Sequence, residues 1–138
     1  MICGTKMMKN EKILEIEVEL EQILIQLGMD HDGNNRGFRW VKEVTLHAIF
    51  HPDCWKENYL ELIGKREGVT REHVRQILYK AVWDNWTPKS AHVLGNHFGN
   101  PIQTKFECVK PNHIELVTLL SEQLREQYQI VQDKKFVF

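Results

Sequence analysis

The stretch LELIGKREGVTREHVRQILY, residues 60–79, decides the fold. Its small and apolar positions are those that two helices crossing at a steep angle require. Ile63 is placed for a core, and Gly64 leaves room where the second helix crosses. Gly68 stands where a tight turn needs a positive φ, and Val69 plugs the corner behind it. Thr70 is suited to cap the next helix by accepting a hydrogen bond from a free N–H of its first turn. Val74, Ile77, Leu78, Ala81 and Val82 then repeat at i, i+3, i+4, i+7 and i+8, so that face packs inward. The pattern predicts a helix-turn-helix from about Leu60 to Trp86.

The opposite face carries the functional reading. At about 100° per residue it gathers Glu72, Arg75, Gln76, Tyr79, Lys80 and Trp83. Arg can pair with both major-groove acceptors of guanine and Gln with adenine, while Lys and Tyr readily meet phosphates. A helix facing only water has no need of Tyr79 and Trp83 on its outside. Lys65 and Arg66, in the preceding helix, are placed to contact the nucleic-acid backbone. Glu67 departs from the pattern, standing where such motifs usually carry an apolar residue. An ordinary helical hairpin with a charged face is the plainer reading of the same spacing.

Outward from this window the chain reads as helical. Ile13, Ile16, Leu20, Ile23, Leu24 and Leu27 step by three and four and stop at Gly28, which predicts an acidic amphipathic helix over 11–27. Met29 to Arg36 is rich in Asp, Asn and Gly and reads as a loop. A second helix is expected from Gly37 to about Phe50, closed by Pro52, and a third from Cys54 or Trp55 to Arg66. Thr87-Pro88 should open a fifth helix that ends near Gly99. Asn100 to Lys110 reads as irregular or briefly extended. A last helix starts at Pro111 or Asn112 and reaches about Tyr128. The tail 129–138 reads as a strand or as disordered. The expectation is therefore one all-α domain of about six helices over 1–138.

Composition bounds the function. With 138 residues and 42% hydrophobic content the chain can bury a real core as one domain. Eighteen Lys and Arg against nineteen Asp and Glu leave it near neutral, but the charge is unevenly spread. Glu11 to Glu21 holds five Glu and one Lys. Ile63 to Lys80 holds Lys65, Arg66, Arg71, Arg75 and Lys80 against Glu67 and Glu72, so a near-neutral chain can still present a basic face. Cys3, Cys54 and Cys108 are odd in number and widely spaced, which argues against a disulfide framework. No stretch approaches the roughly 18 apolar residues of a membrane span. A reducing, cytoplasmic, nucleoid-associated location is the default expectation.

Other constellations in the chain have plainer explanations. His47, His51 and Cys54 form an H-x₃-H-x₂-C cluster in which a zinc site is geometrically allowed, but a further ligand is missing nearby and surface histidines explain the pattern. No Gly-rich phosphate loop, nucleophile elbow or acidic metal motif is present, so no catalytic residue, cofactor or small-molecule substrate is expected. Trp40 and Trp55 read as core residues. The acidic first helix reads as a solvated face, and its Ile13, Leu20 and Leu27 stripe as a dimer seam in a sharper reading. Lys134-Lys135-Phe136-Val137-Phe138 would add a strand to a neighbour or fray.

Taken together, these residues resemble the C-terminal DNA-binding effector domain of the stage 0 sporulation protein A family, response regulators that start endospore formation in Gram-positive bacteria. Leu24 to Gly28 is similar to the end of that domain's first helix. Arg36-Gly37-Phe38-Arg39-Trp40-Val41-Lys42-Glu43 is similar to its Lys-Gly-Tyr-x-Tyr-Leu-Arg-Glu signature. Ile63 to Trp86 aligns without a gap to its helix-turn-helix, and His97-Phe98-Gly99 and Lys110-Pro111 match landmarks of the later helices. The resemblance implies a six-helix all-α domain that inserts the second helix of its motif into the major groove. Position by position it makes Arg75, Gln76, Tyr79 and Lys80 the base-facing candidates, where the family carries Glu-Arg and Arg-His. A different target sequence follows. The family also joins this domain to a phospho-acceptor receiver, whereas the residues before Gly28 hold only one helix, so phosphorylation control is not expected within this chain.

The sequence thus predicts a stand-alone transcriptional regulator that binds double-stranded DNA without catalysis. Arg75, Gln76, Tyr79 and Lys80 would face bases, with Lys65, Arg66, Thr70 and Arg71 on phosphates, and Lys80 would reach phosphates as well. One short helix reads few base pairs, so a homodimer on repeated half-sites is expected. Two rivals stand beside it: a plasmid or phage accessory protein that marks a site for conjugation, replication or recombination, and a protein-interaction module that has lost DNA binding.

Overall fold

A computed structural model describes residues 2–29 and 35–130. Among the described residues the chain is all-α, with no strand. Its helices are α1 Ile2–Gln26, α2 Arg36–Phe50, α3 Trp55–Glu67, α4 Arg71–Trp83, α5 Ser90–Phe98, α6 Asn100–Glu107 and α7 His113–Gln127. Residues 30–34 of the expected loop, and the tail beyond Ile130, lie outside the described residues.

Local signals explain most of the boundaries. Gly28 terminates α1 at φ 98°, and Met29 N–H donates back to the Leu24 carbonyl at 3.1 Å. Asn35 Oδ1 accepts from Phe38 N–H at 3.0 Å and starts α2. Asn112 and Glu115 form a reciprocal capping box at the start of α7. Asn112 Oδ1 accepts from Glu115 N–H at 2.8 Å, while Glu115 Oε1 accepts from Asn112 N–H at 3.2 Å.

Four expectations need correction. First, α1 begins at Ile2 rather than Glu11. Residues 2–10 lack a strong apolar period, but they include Met and Lys, good helix formers, and no Pro to stop the helix. Second, Asn100 to Glu107 is helical, not irregular, with Pro in its first turn and Phe106 buried. Phe106 meets Trp86 edge-on with ring centroids 6.0 Å apart, a contact between residues too far apart in sequence to show as periodicity. Third, α5 begins at Ser90 rather than at Pro88. Thr87 still acts as a local cap, its Oγ1 accepting from Lys89 N–H at 3.2 Å, but Pro88 and Lys89 form a turn ahead of the helix. Fourth, α4 stops at Trp83, though Trp86 N–H still donates to the Val82 carbonyl at 3.1 Å.

The core is one continuous apolar cluster. α2 lies at its centre, packed against α1, α3, α4 and α7, while α5 and α6 form a hairpin that reaches the core through α5 and α1. Trp40 and Trp55 are both buried, as expected. Ile16, Leu20, Ile23 and Leu24 of α1 are fully buried, and Leu27 nearly so. This withdraws the Ile13, Leu20, Leu27 dimer seam. Leu20 and Leu27 are covered by the chain's own core and only Ile13 is exposed, so the stripe does not offer one free face. The acidic side of α1 is partly tied down instead, with Lys42 Nζ 3.2 Å from Glu17 and 3.8 Å from Glu21.

Candidate nucleic-acid interface

α3 and α4 pack on each other and are joined by the turn Gly68-Val69-Thr70. Gly68 adopts φ 69°, ψ 33°, a left-handed conformation that a side chain would resist, and nothing else crowds it. Gly64 is needed for space. A Cβ there would stand 2.9 Å from the Val69 carbonyl oxygen and 3.9 Å from Val74 Cγ2. The turn's own backbone, more than the next helix, is what Gly64 admits. Val69 N–H donates to the Gly64 carbonyl at 3.0 Å and closes the turn on that glycine. Thr70 Oγ1 accepts from His73 N–H at 3.1 Å, which fixes where α4 starts.

α4 is then divided between core and solvent. Val74, Leu78 and Val82 are buried against the other helices. Arg71, Glu72, Arg75, Gln76, Tyr79 and Lys80 are exposed. The sequence-predicted base-facing set therefore shares the outward side of one helix, and Lys65, Arg66 and Thr70 are exposed on the preceding helix and turn.

Charge on this surface is less free than the sequence suggests. Arg75 Nη1 lies 2.8 Å from Glu72 Oε2. Arg66 is engaged twice, with Nη1 2.6 Å from Glu43 of α2 and Nε 2.9 Å from Glu67. Hydrogen bonding to Glu43, foremost, holds the Arg66 proton more tightly than usual. Lys65, Arg71 and Lys80 have no ion-pair partner among the described residues.

Two aromatic contacts complete the surface, and the second joins it only in three dimensions. Tyr79 stacks on Trp83, with centroids 5.4 Å apart and planes 14° from parallel. Lys110, from the linker between α6 and α7, places its ammonium 4.4 Å from the Trp83 ring centroid. In sequence Lys110 is only a landmark of the family resemblance, and no local pattern links it to α4. Behind the same helix, Tyr59 Oη and His113 Nε2 lie 3.0 Å apart in a buried contact. Burial first, and the positive charge of Arg75 second, push the His113 pKa down to about 4.

The zinc alternative fails on geometry. His47 and His51 do face each other, with ring centroids 4.6 Å apart. Cys54 is a free thiol at the N-cap of α3, beyond the Pro52-Asp53 turn. Among the described residues no group of three His, Cys, Asp or Glu side chains is placed to hold a metal ion, so His47, His51 and Cys54 do not form one. Burial, then the neighbouring His51, holds the His47 pKa below its usual value. Among the described residues no helix is long and apolar enough to cross a membrane.

In comparisons with known proteins the chain matches no family model, no curated protein and no solved structure.

Proposed function

We propose that the chain is a sequence-specific, non-catalytic double-stranded DNA-binding protein acting in transcriptional regulation, with α3 and α4 as its helix-turn-helix and α4 as the helix that reads the major groove. The observation that carries this reading is the division of α4. Its inner residues Val74, Leu78 and Val82 are buried, while Arg71, Arg75, Gln76, Tyr79 and Lys80 are gathered outside, next to Lys65 and the capping Thr70. Gln76 is suited to the paired donor and acceptor of adenine, and Arg75 to guanine. The Arg75–Glu72 pair is an exposed contact worth about 0–1 kcal/mol, which a bidentate base contact can replace. The resemblance to sporulation-regulator effector domains points to the same helix. Short α4 reads few base pairs, so two copies on repeated half-sites are part of the proposal.

A second reading has its own observation. Glu43, Glu67 and Glu72 offset Arg66 and Arg75, which suits a protein-interaction module that has reused this helical pair. Selection of random duplex DNA by the purified protein, at several salt concentrations, separates the two. Enrichment of a defined motif whose affinity falls steeply with salt supports DNA recognition. No enrichment, with weak binding that barely responds to salt, supports the protein-interaction reading.

A further inference from the structure

α4 has 13 residues, which at about 1.5 Å each make it about 20 Å long, whereas the major groove is about 12 Å wide. A helix of that length crossing the groove approaches a sugar-phosphate strand at each of its ends. Of the cations read from the helix-turn-helix, Lys65 and Arg71 lie at one of those ends, beside the turn that starts α4, and Lys80 lies within one turn of the other. At the other end stands Trp83, the last residue of α4, and over its ring lies the ammonium of Lys110 at 4.4 Å.

The backbone of Lys110 is anchored on its C-terminal side. Pro111 is buried behind it, and the capping box of Asn112 and Glu115 anchors the chain just beyond. The rings of Trp83 and Tyr79 stack on the outward side of α4, and Tyr79 remains 40% exposed. Lys110 has no carboxylate partner among the described residues, so its charge is available beside the aromatic pair. A lysine held in this way has less side-chain freedom to lose on meeting an anion than one waving in water.

We infer that Lys110, seated on Trp83, is a second phosphate clamp of the DNA interface, gripping the strand at the C-terminal end of α4 opposite the one held by Lys65 and Arg71. This rests on the DNA-binding reading above. A phosphate contact carries no base information, so its loss weakens all duplexes alike.

The test is anisotropy titration of the selected duplex and of a scrambled duplex, over a range of salt, with wild type, Lys110→Gln, Lys110→Arg and Gln76→Ala. Thermal melting of each variant runs alongside. The inference predicts that Lys110→Gln weakens both duplexes several-fold and lowers the salt slope by about one, while Lys110→Arg keeps the slope. A Lys110→Gln variant whose slope equals wild type, in a protein that binds duplex and loses base selectivity on Gln76→Ala, overturns this inference alone. It would leave Lys110 as a cover for Trp83. Wild type that binds neither duplex overturns the DNA reading and this inference with it.

Discussion

Arg66 of α3 donates to Glu43 of α2 at 2.6 Å, so a cation that the sequence offers to a DNA backbone is held by a carboxylate 23 positions earlier. Glu67, its chain neighbour, takes a second hydrogen bond at 2.9 Å. Both carboxylates compete with phosphate for one guanidinium.

Removing one competitor should therefore strengthen binding. Glu43→Gln is expected to raise duplex affinity several-fold and to steepen the salt dependence, because Arg66 becomes free to displace a counterion. The stability cost should stay near 0–1 kcal/mol, the usual worth of so exposed a pair. Titration at several salt concentrations checks it. Unchanged affinity and slope would place Arg66 outside the interface.

Gly64 gives a prediction of sign. In an exposed helix, replacing Gly by Ala normally stabilises by about 1 kcal/mol. Here the new Cβ would stand 2.9 Å from the Val69 carbonyl oxygen, which belongs to backbone and cannot swing aside. Gly64→Ala is expected to destabilise by about 1–2 kcal/mol net, from the overpacking that such contacts cause. Urea denaturation of wild type and variant decides it, and a more stable variant would mean that the turn is not pinned against α3.

His113 sets a pH window. The folded protein keeps this buried ring neutral until about pH 4, whereas the unfolded chain takes up the proton near the ordinary histidine value of 6.5. Between those values the unfolded state binds more protons, so stability falls as pH drops from about 6.5 to about 4 and this contribution levels off below. At about 1.4 kcal/mol per pH unit the loss is about 3 kcal/mol. Urea denaturation across this range should show a shallower fall in His113→Gln than in wild type. Parallel curves would remove His113 as the source.

Much of the fold was legible because its signals are local. Gly28, Asn112 and Thr70 mark helix ends where the structure has them, and the inner stripe Val74, Leu78 and Val82 is buried as the period requires. The failures come from contacts between distant segments. Phe106 of α6 meets Trp86, and Leu20 and Leu27 enter the chain's own core, contacts that no local pattern reveals. The candidate interface divides the same way. Arg75, Gln76, Tyr79 and Lys80 share a face by helical geometry alone, whereas the engagement of Arg66 by Glu43 and the seat of Lys110 on Trp83 need the tertiary structure.

If the outward side of α4 reads bases, Gln76 is the side chain whose loss should change base preference. Binding profiles over all single-base variants of the selected site should be measured for wild type and Gln76→Ala at one salt concentration. The substitution should flatten preference at one base position, at a cost of about 1–3 kcal/mol, and leave the others intact. A profile that Gln76→Ala leaves unchanged, or a wild type without base preference, would contradict base reading by this side of α4.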